Sequence, residues 1–361
     1  MKKVLLVVNE FPPVTGGVAA HAFQLAEGLS NIGHTLRVVT FQQKVRQGSF
    51  YQVVCTGHKG LFRYLNRFFT CFRAVLSFKP DVIIASNKFP VWVGYCLKLF
   101  FPGKQFIAVL HGNELLQQNY FAKRFTEISL NKFDKLVAVS SYTASLLKPH
   151  QRERCDIILN ALDVKWLKGE NRVKTFSGKL NLLTVGTVRP RKGHANIIRA
   201  LPVLAKGYPE VNYTICGAFE FPVYVSELKT LADSLGVAQR IRFVQIPYSD
   251  FSSLHTLYKE CDIYLLLSET QPNGDTEGFG ISILEANSCG TPAIGAKQGG
   301  TAEAVKDSKS GRLITPQNTS ELLHAVEEIV KHYESYSLDA QARAAQFTKE
   351  KMARSFEDLF Y

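Results

Sequence analysis

The sequence lacks any pair of cysteines close enough in the chain to form a metal site. Its seven cysteines are an odd number, and they are scattered over 361 residues, mostly inside apolar segments. This distribution argues against a disulfide framework and a zinc site, and it is typical of reduced, buried thiols. We therefore expect a cytoplasmic protein without a structural metal.

Long apolar runs are also missing. The longest, from Phe89 to Phe101, contains Lys98 and is well short of the ~20 residues needed to cross a bilayer. The start, Met1 to Lys3 followed by VLLVV, has neither a long apolar core nor a small-residue cleavage site, so it predicts a β-strand rather than a signal peptide. Low-complexity tracts are absent, and 46% hydrophobic with 20% charged residues is a globular composition.

Negative charge is scarce in the first half of the chain. Residues 1–165 contain 21 Lys and Arg against 9 Asp and Glu, whereas residues 166–361 contain 22 of each kind. The whole net charge of +12 therefore lies in the first half. A basic half beside a neutral half indicates an anionic partner, such as a lipid surface, a phosphorylated acceptor or a nucleic acid.

Short runs rich in Val, Ile and Leu alternate with amphipathic segments along nearly the whole chain. Such runs are typical of parallel sheets covered by helices on both faces, the doubly wound α/β class. The polar stretch from Asp163 to Lys179 separates two series of about six runs each, and we interpret it as a linker between two Rossmann-like domains facing a deep cleft. The predicted strands are VLLVV, LRVVTF, DVIIAS, FIAVLHG, KLVAVS and DIILN, then LNLLTVG, VNYTICG, IRFVQI, DIYLLLS, TPAIGA and GRLIT.

A glycine pair, Gly16 and Gly17, follows the first strand and opens a predicted helix. Glycines at a helix start let an anion approach free backbone N–H groups, although a tight turn explains them equally well. The dinucleotide-binding fingerprint needs a third glycine and an acidic residue after the second strand, and both are missing. A dehydrogenase of similar architecture is therefore disfavoured.

A basic loop follows the strand that ends at Val185 and Gly186. It places Arg189, Arg191 and Lys192 before the next predicted helix. Three cations at the carboxyl end of a buried strand suit a diphosphate, and a solvated charge run is the alternative.

The segment SETQPNGDTEGFGISILEANSCG carries two glutamates, Glu277 and Glu285, separated by seven residues. A helix is predicted to begin near Ile281, so one carboxylate lies in the loop and the other just inside the helix, with the amides of the helix start between them. This geometry can grip a diphosphate on backbone N–H groups, a ribose on Glu285 and a sugar on Glu277. Paired surface carboxylates are the alternative, but they need no such glycine pattern.

This segment resembles the signature of the retaining nucleotide-sugar glycosyltransferases of family 4, whose fold is the two-domain GT-B arrangement. Further matches follow in order along almost the entire chain. They are Gly16-Gly17, HGNE at His111 to Glu114, ILNALD around Asn160 and Asp163, VG…RKG at Gly186 to Gly193, and GG…E at Gly299, Gly300 and Glu303. The resemblance implies an acceptor-binding domain at 1–165, a donor-binding domain at 175–345, and a last helix, 348–361, that returns to the first domain.

The resemblance also implies roles for individual residues. Arg191 and Lys192 match the basic pair that contacts the donor diphosphate. Glu285 matches the residue that holds the donor ribose, and Glu277 matches the residue that contacts the transferred sugar. His111 matches the histidine beside that sugar. Further donor-binding positions are Gly16 and Gly17, Gly186, and the backbone amides of Phe279, Gly280 and Ile281.

The sequence departs from the family pattern at three places. Thr187 stands where many members have an arginine, so either Arg189 replaces it or one phosphate contact is absent. Asn160-Ala161 replaces the usual Asn-Gly before the linker. The loop QPNGDT before Glu277 is longer than in many members, which affects the fit to any sugar.

The resemblance implies transfer of a hexose, with UDP as the expected nucleotide, to a glycan or lipid-linked acceptor in cell-surface polysaccharide or glycolipid synthesis. Retention of configuration follows from same-face attack, and no metal or other cofactor is required because cations and helix-start amides stabilise the departing diphosphate. The alternative hypothesis is a catalytically silent relative that acts as a membrane-bound partner of another transferase.

A predicted helix between His58 and Lys79 is amphipathic. Leu61, Leu65, Phe68, Phe72 and Leu76 share one face, and arginines lie largely off it. This face either packs on the first-domain sheet or lies at the inner surface of the cell membrane. Nucleic acid fits the charge of the first half, but no nucleic-acid-binding module is recognisable, so we expect none to bind.

Overall fold

A computed structural model of the chain describes residues 1–42, 51–56, 62–168 and 173–361. The chain divides into two compact units, one formed by Met1–Asp163 with Phe347–Tyr361 and the other by Val164–Gln346. Within the described ranges, no helix combines the length and the apolar character needed to cross a membrane.

The first unit is built on a seven-stranded parallel sheet with the order β3-β2-β1-β4-β5-β6-β7. Most of its strand residues are fully buried, as expected for a parallel sheet with covered faces. The strands are β1 (Lys3–Val8), β2 (Thr35–Thr40), β3 (Gln52–Cys55), β4 (Val82–Ser86), β5 (Gln105–Leu110), β6 (Lys135–Ala138) and β7 (Cys155–Ile157). The helices are α1 (Gly17–Asn31), α2 (Arg63–Phe78), α3 (Lys88–Phe100), α4 (Tyr120–Leu130), α5 (Ser141–Ser145) and α6 (Pro149–Arg152).

The second unit contains a six-stranded parallel sheet with the order β10-β9-β8-β11-β12-β13. Its strands are β8 (Asn181–Val185), β9 (Asn212–Cys216), β10 (Ile241–Val244), β11 (Ile263–Leu266), β12 (Ala293–Ala296) and β13 (Gly311–Ile314). The helices are α7 (Val164–Leu167), α8 (His194–Gly207), α9 (Pro222–Ser234), α10 (Phe251–Glu260), α11 (Ile281–Ser288), α12 (Thr319–Lys331) and α13 (Tyr333–Ala344). Three short 3₁₀ helices span Pro190–Lys192, Ala238–Arg240 and Gly300–Glu303.

The predicted doubly wound α/β class is confirmed, but the first sheet has one strand more than the six expected. The additional strand is β3, a four-residue strand that pairs with β2 at one end of the strand order. Its sequence, QVVC, has only two consecutive aliphatic residues, Val53 and Val54, and this apolar run is too short to predict a strand.

Each sheet reverses its strand order once, between β1 and β4 in the first and between β8 and β11 in the second. Ligands of such sheets bind outside the carboxyl ends of the strands at the reversal. The loop after β8 carries the basic run, and the loop after β11 together with the start of α11 carries the two glutamates. These segments therefore meet at one edge of the second sheet.

The stretch predicted to be a linker, from Asp163 to Lys179, is partly folded. It contains α7, whose Trp166 is fully buried against Phe251 and Tyr258, at ring-centroid distances of 4.7 and 5.3 Å. The pattern gave no helical period because a single turn is too short to show one. Residues 169–172 of this stretch lie outside the described residues.

The last helix, α14 (Lys349–Glu357), packs on α1 in the first unit. Gly28 of α1 permits the close approach, because a Cβ at this position would lie 2.4 Å from the carbonyl oxygen of Lys349. Met352, Ala353 and Phe356 are buried in the same core as the α1 residues that face them. The C-terminal segment is thus part of the first hydrophobic core.

Helix α2 only partly follows the predicted apolar face. Phe68 and Phe72 pack against the core, whereas Leu65 and Leu76 are more than half exposed. The face that packs on the sheet is centred on Cys71, Ala74 and Val75, which are smaller side chains. Residues 58–61 of the predicted helix, including Leu61, lie outside the described residues.

Candidate active site

The basic loop after β8 is held in a sharp turn against the end of β11. Gly193 has a φ of +74°, and a Cβ there would lie 2.0 Å from the carbonyl oxygen of Leu267, so only glycine fits. Lys192 is buried, and its side chain packs against the backbone of Gly186, where a Cβ would lie 3.3 Å from the Lys192 Nζ. These contacts fix the direction in which Arg191 and Lys192 point.

Glu277 pairs with both of these cations. Arg191 donates from Nη1 to Glu277 Oε2, and the Nζ of Lys192 lies 2.7 Å from the same oxygen. Burial is the largest single effect on the pKa of Glu277 and would raise it, but the charges and hydrogen bonds of Arg191 and Lys192 together lower this pKa to about 2. The carboxylate is therefore ionised at every physiological pH.

A second carboxylate, Asp275, joins the same cluster. Its two oxygens lie 3.2 Å from Arg189 Nε and 3.2 Å from Arg191 Nε. The Arg189 guanidinium also lies 4.8 Å from the centre of the Phe221 ring. Three cations and two carboxylates thus form one network at the carboxyl edge of the second sheet.

Glu285 lies in α11 and is almost fully buried. Tyr248 donates a hydrogen bond to its Oε1, and Tyr258 donates to Oε2 at 2.7 Å. Burial, the largest effect, raises the pKa of Glu285, while the two tyrosine hydroxyls act in the opposite direction. Both carboxylate oxygens consequently have phenol partners.

The backbone between the two glutamates packs tightly against the 3₁₀ helix Gly300–Glu303. The N–H group of Gly300 donates to the Glu277 carbonyl at 3.1 Å, and a Cβ at Gly300 would lie 2.0 Å from the carbonyl oxygen of Gly278. Phe279 is buried, and Gly280, at a φ of +91°, precedes the first residue of α11, Ile281. The amides of Phe279, Gly280 and Ile281 therefore belong to a rigid helix start.

In the first unit, His111 follows β5. The Nε2 of its ring lies 2.9 Å from the Ser86 hydroxyl, and its backbone N–H donates to the Glu114 carboxylate at 2.6 Å. Burial and then the neighbouring His21 lower the pKa of His111 well below its ordinary value. The imidazole is therefore neutral at pH 7.

His21 is a second buried histidine in this cluster. Its ring centroid lies 5.0 Å from that of His111, and its Nδ1 lies 2.7 Å from Asn160 Oδ1. Gly16, with a φ of +140°, precedes Gly17 at the start of α1, the helix that carries His21. The first-unit motif residues thus lie on the segments that follow β1, β5 and β7.

The sequence predicts two sets of site residues in different halves of the chain, and each set lies within one of the two units. The structure gathers Arg189, Arg191, Lys192 and Glu277 in one network, and it holds Glu285 separately on two tyrosines. It also adds residues that the sequence analysis did not single out: Asp275, Tyr248, Tyr258, His21 and Ser86. Asp275 alone had a sequence signal, because residues two apart in an extended loop lie on one side. Among the described residues, no group of three or more His, Cys, Asp or Glu side chains is placed to hold a metal ion.

Two family models match successive parts of the chain. Residues 15–166 match the model of Glycosyltransferase Family 4, and residues 169–348 match that of Glycosyl transferases group 1. The chain belongs to glycosyltransferase family 4. The division between the two matched regions falls in the stretch that contains α7.

Relatives of this transferase match nearly the full length of the chain or about half of it. A "GDP-mannose-dependent alpha-(1-6)-phosphatidylinositol monomannoside mannosyltransferase" from Mycolicibacterium smegmatis is 25% identical over 91% of this chain and 89% of its own. A "D-inositol 3-phosphate glycosyltransferase 2" from Catenulispora acidiphila is 31% identical over 49% of this chain and 44% of its own.

Solved structures show that the transferase has the GT-B fold. The Anabaena protein HepE in complex with UDP superposes with a TM-score of 0.76 at 20% identity, covering 99% of both chains. Sucrose-phosphate synthase from Thermosynechococcus elongatus superposes with a TM-score of 0.79 at 17% identity, covering 100% of this chain and 98% of its own. The predicted family and fold are thereby confirmed.

Proposed function

We propose that this chain is a retaining hexosyltransferase that moves a sugar from a nucleoside diphosphate to a glycan or lipid-linked acceptor. The observation that carries the proposal is the network of Arg189, Arg191, Lys192, Asp275 and Glu277. Sugar transfer leaves a diphosphate that gains negative charge as the bond breaks. Cations already fixed in position stabilise that charge without reorganising during the reaction.

The roles within the network follow from its geometry. Arg191 and Lys192 meet on one oxygen of Glu277, which orients both cations toward the same region. The amides of Phe279, Gly280 and Ile281 add donors at the start of α11, where the helix dipole favours an anion. The cations and amides supply the positive charge that the leaving group needs, so we expect transfer to proceed without a metal.

Retention requires the acceptor to attack from the face that the diphosphate leaves. In this mechanism the departing phosphate oxygen takes the acceptor proton, and no side chain has to act as the base. His111 is neutral and held between Ser86 and Glu114. It then positions the sugar through a hydrogen bond, and Glu277 contributes a fixed, ionised carboxylate.

The nucleotide in this proposal differs from the sequence expectation. The sequence predicts UDP, whereas the Mycolicibacterium smegmatis relative, which this chain matches over nearly its whole length, is a GDP-mannose-dependent enzyme. The HepE structure contains UDP, but at 20% identity it supports only the fold. We therefore take a GDP-hexose such as GDP-mannose as the first donor to test and a UDP-hexose as the second.

An acceptor attached to a membrane lipid is supported by the exposed surface of the first unit. Leu65, Phe69 and Leu76 of α2 are each more than half exposed, and exposed arginines Arg63 and Arg73 lie on the same helix. Exposed apolar side chains beside basic ones fit the interface of an anionic bilayer.

Helix α4 repeats this combination of apolar and basic side chains. Its first residues, Tyr120 and Phe121, are 73% and 82% exposed, and Lys123 and Arg124 are exposed one turn later. We therefore propose that the protein is peripheral at the inner face of the cell membrane and synthesises a glycolipid or cell-surface polysaccharide.

The proposal is tested by supplying GDP-mannose or a UDP-hexose, with the sugar isotopically labelled, together with a membrane lipid extract and EDTA. We expect a labelled lipid whose new linkage, determined by NMR, has the anomeric configuration of the donor, and no product from Glu285→Ala. If the protein binds nucleotide but neither transfers the sugar nor hydrolyses the donor under any of these conditions, the result would instead support the hypothesis of a catalytically silent partner of another transferase.

A further inference from the structure

Two tyrosine hydroxyls share the Glu285 carboxylate, one on each oxygen. Tyr248 donates to Oε1 and Tyr258 donates to Oε2 at 2.7 Å. Neither tyrosine belongs to the glutamate motif, and neither was a candidate from the sequence. Because Glu285 is almost fully buried, a third hydroxyl can reach its carboxylate only where one of these two donors gives way.

The two tyrosines differ in where they come from. Tyr258 lies on α10, is fully buried, and packs between Trp166 and Tyr264 at ring-centroid distances of 5.3 and 5.7 Å. Tyr248 lies in the loop between β10 and α10, is only partly buried, and has exposed neighbours at Pro247 and Ser249. The hydrogen bond to Glu285 Oε2 therefore lies in the core, whereas the hydrogen bond to Oε1 is made by a residue of a surface loop.

The Tyr248 ring is in contact with a lysine side chain. The Nζ of Lys165 lies 5.3 Å from the centre of the Tyr248 ring and 5.1 Å from that of Phe251, so part of the contact is a cation–π interaction between side chains near the surface. Breaking the hydrogen bond from Tyr248 to Glu285 Oε1 requires a change in one short loop. Breaking the hydrogen bond from Tyr258 to Glu285 Oε2 requires helix α10 to move.

We propose that Tyr248 sets the affinity of the nucleoside end of the donor site by competing with the ribose hydroxyls for Glu285 Oε1. This inference rests on the proposed function, in which Glu285 holds the donor ribose. A ribose that reaches Glu285 approaches from the loop side and replaces the Tyr248 hydroxyl, while Tyr258 keeps Oε2 and fixes the carboxylate. Tyr248 is thus a specificity-determining residue, and Tyr258 is a positioning residue.

The test compares binding of GDP and 2′,3′-dideoxy-GDP, and of the matching uridine pair, by calorimetry at one salt concentration. The dissociation constant of the dideoxynucleotide divided by that of the ribonucleotide measures what the ribose hydroxyls contribute to binding, and a larger ratio means a larger contribution. Tyr248→Phe removes the competing hydroxyl and keeps the ring. We expect it to bind the ribonucleotide about three- to tenfold more tightly and the dideoxynucleotide unchanged, since one hydrogen bond has about that net effect.

Two further variants serve as controls. Tyr258→Phe removes the fixed partner, so the ratio should fall toward one. Tyr336→Phe removes another tyrosine–glutamate hydrogen bond of the same unit, to Glu328 at 2.6 Å, and should change nothing. An unchanged ratio in Tyr248→Phe would overturn the inference, because the Tyr248 hydroxyl would then have no effect on ribose binding. A lower ratio would also overturn it, because the Tyr248 hydroxyl would then bind the ribose instead of competing with it. If the wild type binds neither GDP nor UDP, the proposed function itself fails.

Discussion

The ammonium group of Lys192 lies 2.7 Å from Glu277 Oε2, the oxygen that also accepts a hydrogen bond from Arg191. Two cations on one carboxylate oxygen leave a net positive charge at the edge of the sheet. This charge and its fixed position are the physical basis of the proposed donor site.

The first prediction concerns the stability of the Glu277 network at acid pH. Glu277 has a pKa of about 2 in the fold against an ordinary value of 4.5, so its contribution to stability is present above about pH 4.5 and is lost as the pH falls toward 2. Urea unfolding at pH 5.5 and pH 3 should therefore show a stability advantage of wild type over Glu277→Gln that shrinks at the lower pH. An advantage that is equal at both values would show that the carboxylate titrates normally.

The second prediction concerns the backbone that carries Glu277. Gly300→Ala forces a Cβ to within 2.0 Å of the Gly278 carbonyl oxygen, so either the Glu277 loop or the 3₁₀ helix must shift. We expect turnover to fall by about a hundredfold, because a small misplacement of a positioned group is enough for that. Gly207→Ala is the matched control, since a Cβ there meets no atom within 4 Å. Equal activities of the two variants would refute the positioning role of this contact.

The third prediction separates the roles of the two units. His111→Ala should lower kcat by about a hundredfold and leave the dissociation constant of the nucleoside diphosphate unchanged, because His111 is assigned to the sugar and the cations proposed to bind the diphosphate, Arg191 and Lys192, lie in the second unit. His150→Ala, an exposed histidine of the first unit bonded to Asn131 at 3.2 Å, should have wild-type kinetics. Weaker nucleotide binding by His111→Ala would contradict the assignment of His111 to the sugar.

The fourth prediction concerns the exposed face of α2. The double variant Leu65→Ser and Phe69→Ser should reduce co-sedimentation with vesicles that contain about 30% anionic lipid, and added salt should weaken wild-type binding. Serine at Val223 and Leu338, which are exposed apolar side chains of the second unit, is the control. Binding that is equal for both double variants would exclude this face as the membrane contact.

The sequence predicted the elements whose signal is local. Buried strands such as β1 and β11 are continuous apolar runs, and the spacing of Glu277 and Glu285 around Gly278 and Gly280 is visible in one segment. The helix starts at Gly17 and Ile281 followed from the glycines before them. In these places residue type and short-range spacing determine the structure.

The remaining features depend on contacts between distant parts of the chain. Tyr248 meets Glu285 because the loop after β10 and helix α11 lie at the same edge of the sheet, and no sequence pattern around Tyr248 predicts this contact. Trp166 was assigned to a linker because its burial depends on α10. The sequence leaves open whether Leu65 and Leu76 are packed or exposed, because several faces of α2 are apolar and packing on the sheet selects among them.

The central claim is that Arg191 and Lys192 bind the diphosphate of a nucleotide-sugar donor, and calorimetric titration with GDP and UDP in EDTA tests it most directly. We predict that wild type binds one of them and that Arg191→Ala binds it at least tenfold more weakly, since a hydrogen bond to a charged group contributes ~1.5–3 kcal/mol. Arg312→Ala, which removes a cation paired with Asp307 in the same unit, should bind like wild type. Equal affinities of wild type and Arg191→Ala would contradict the account.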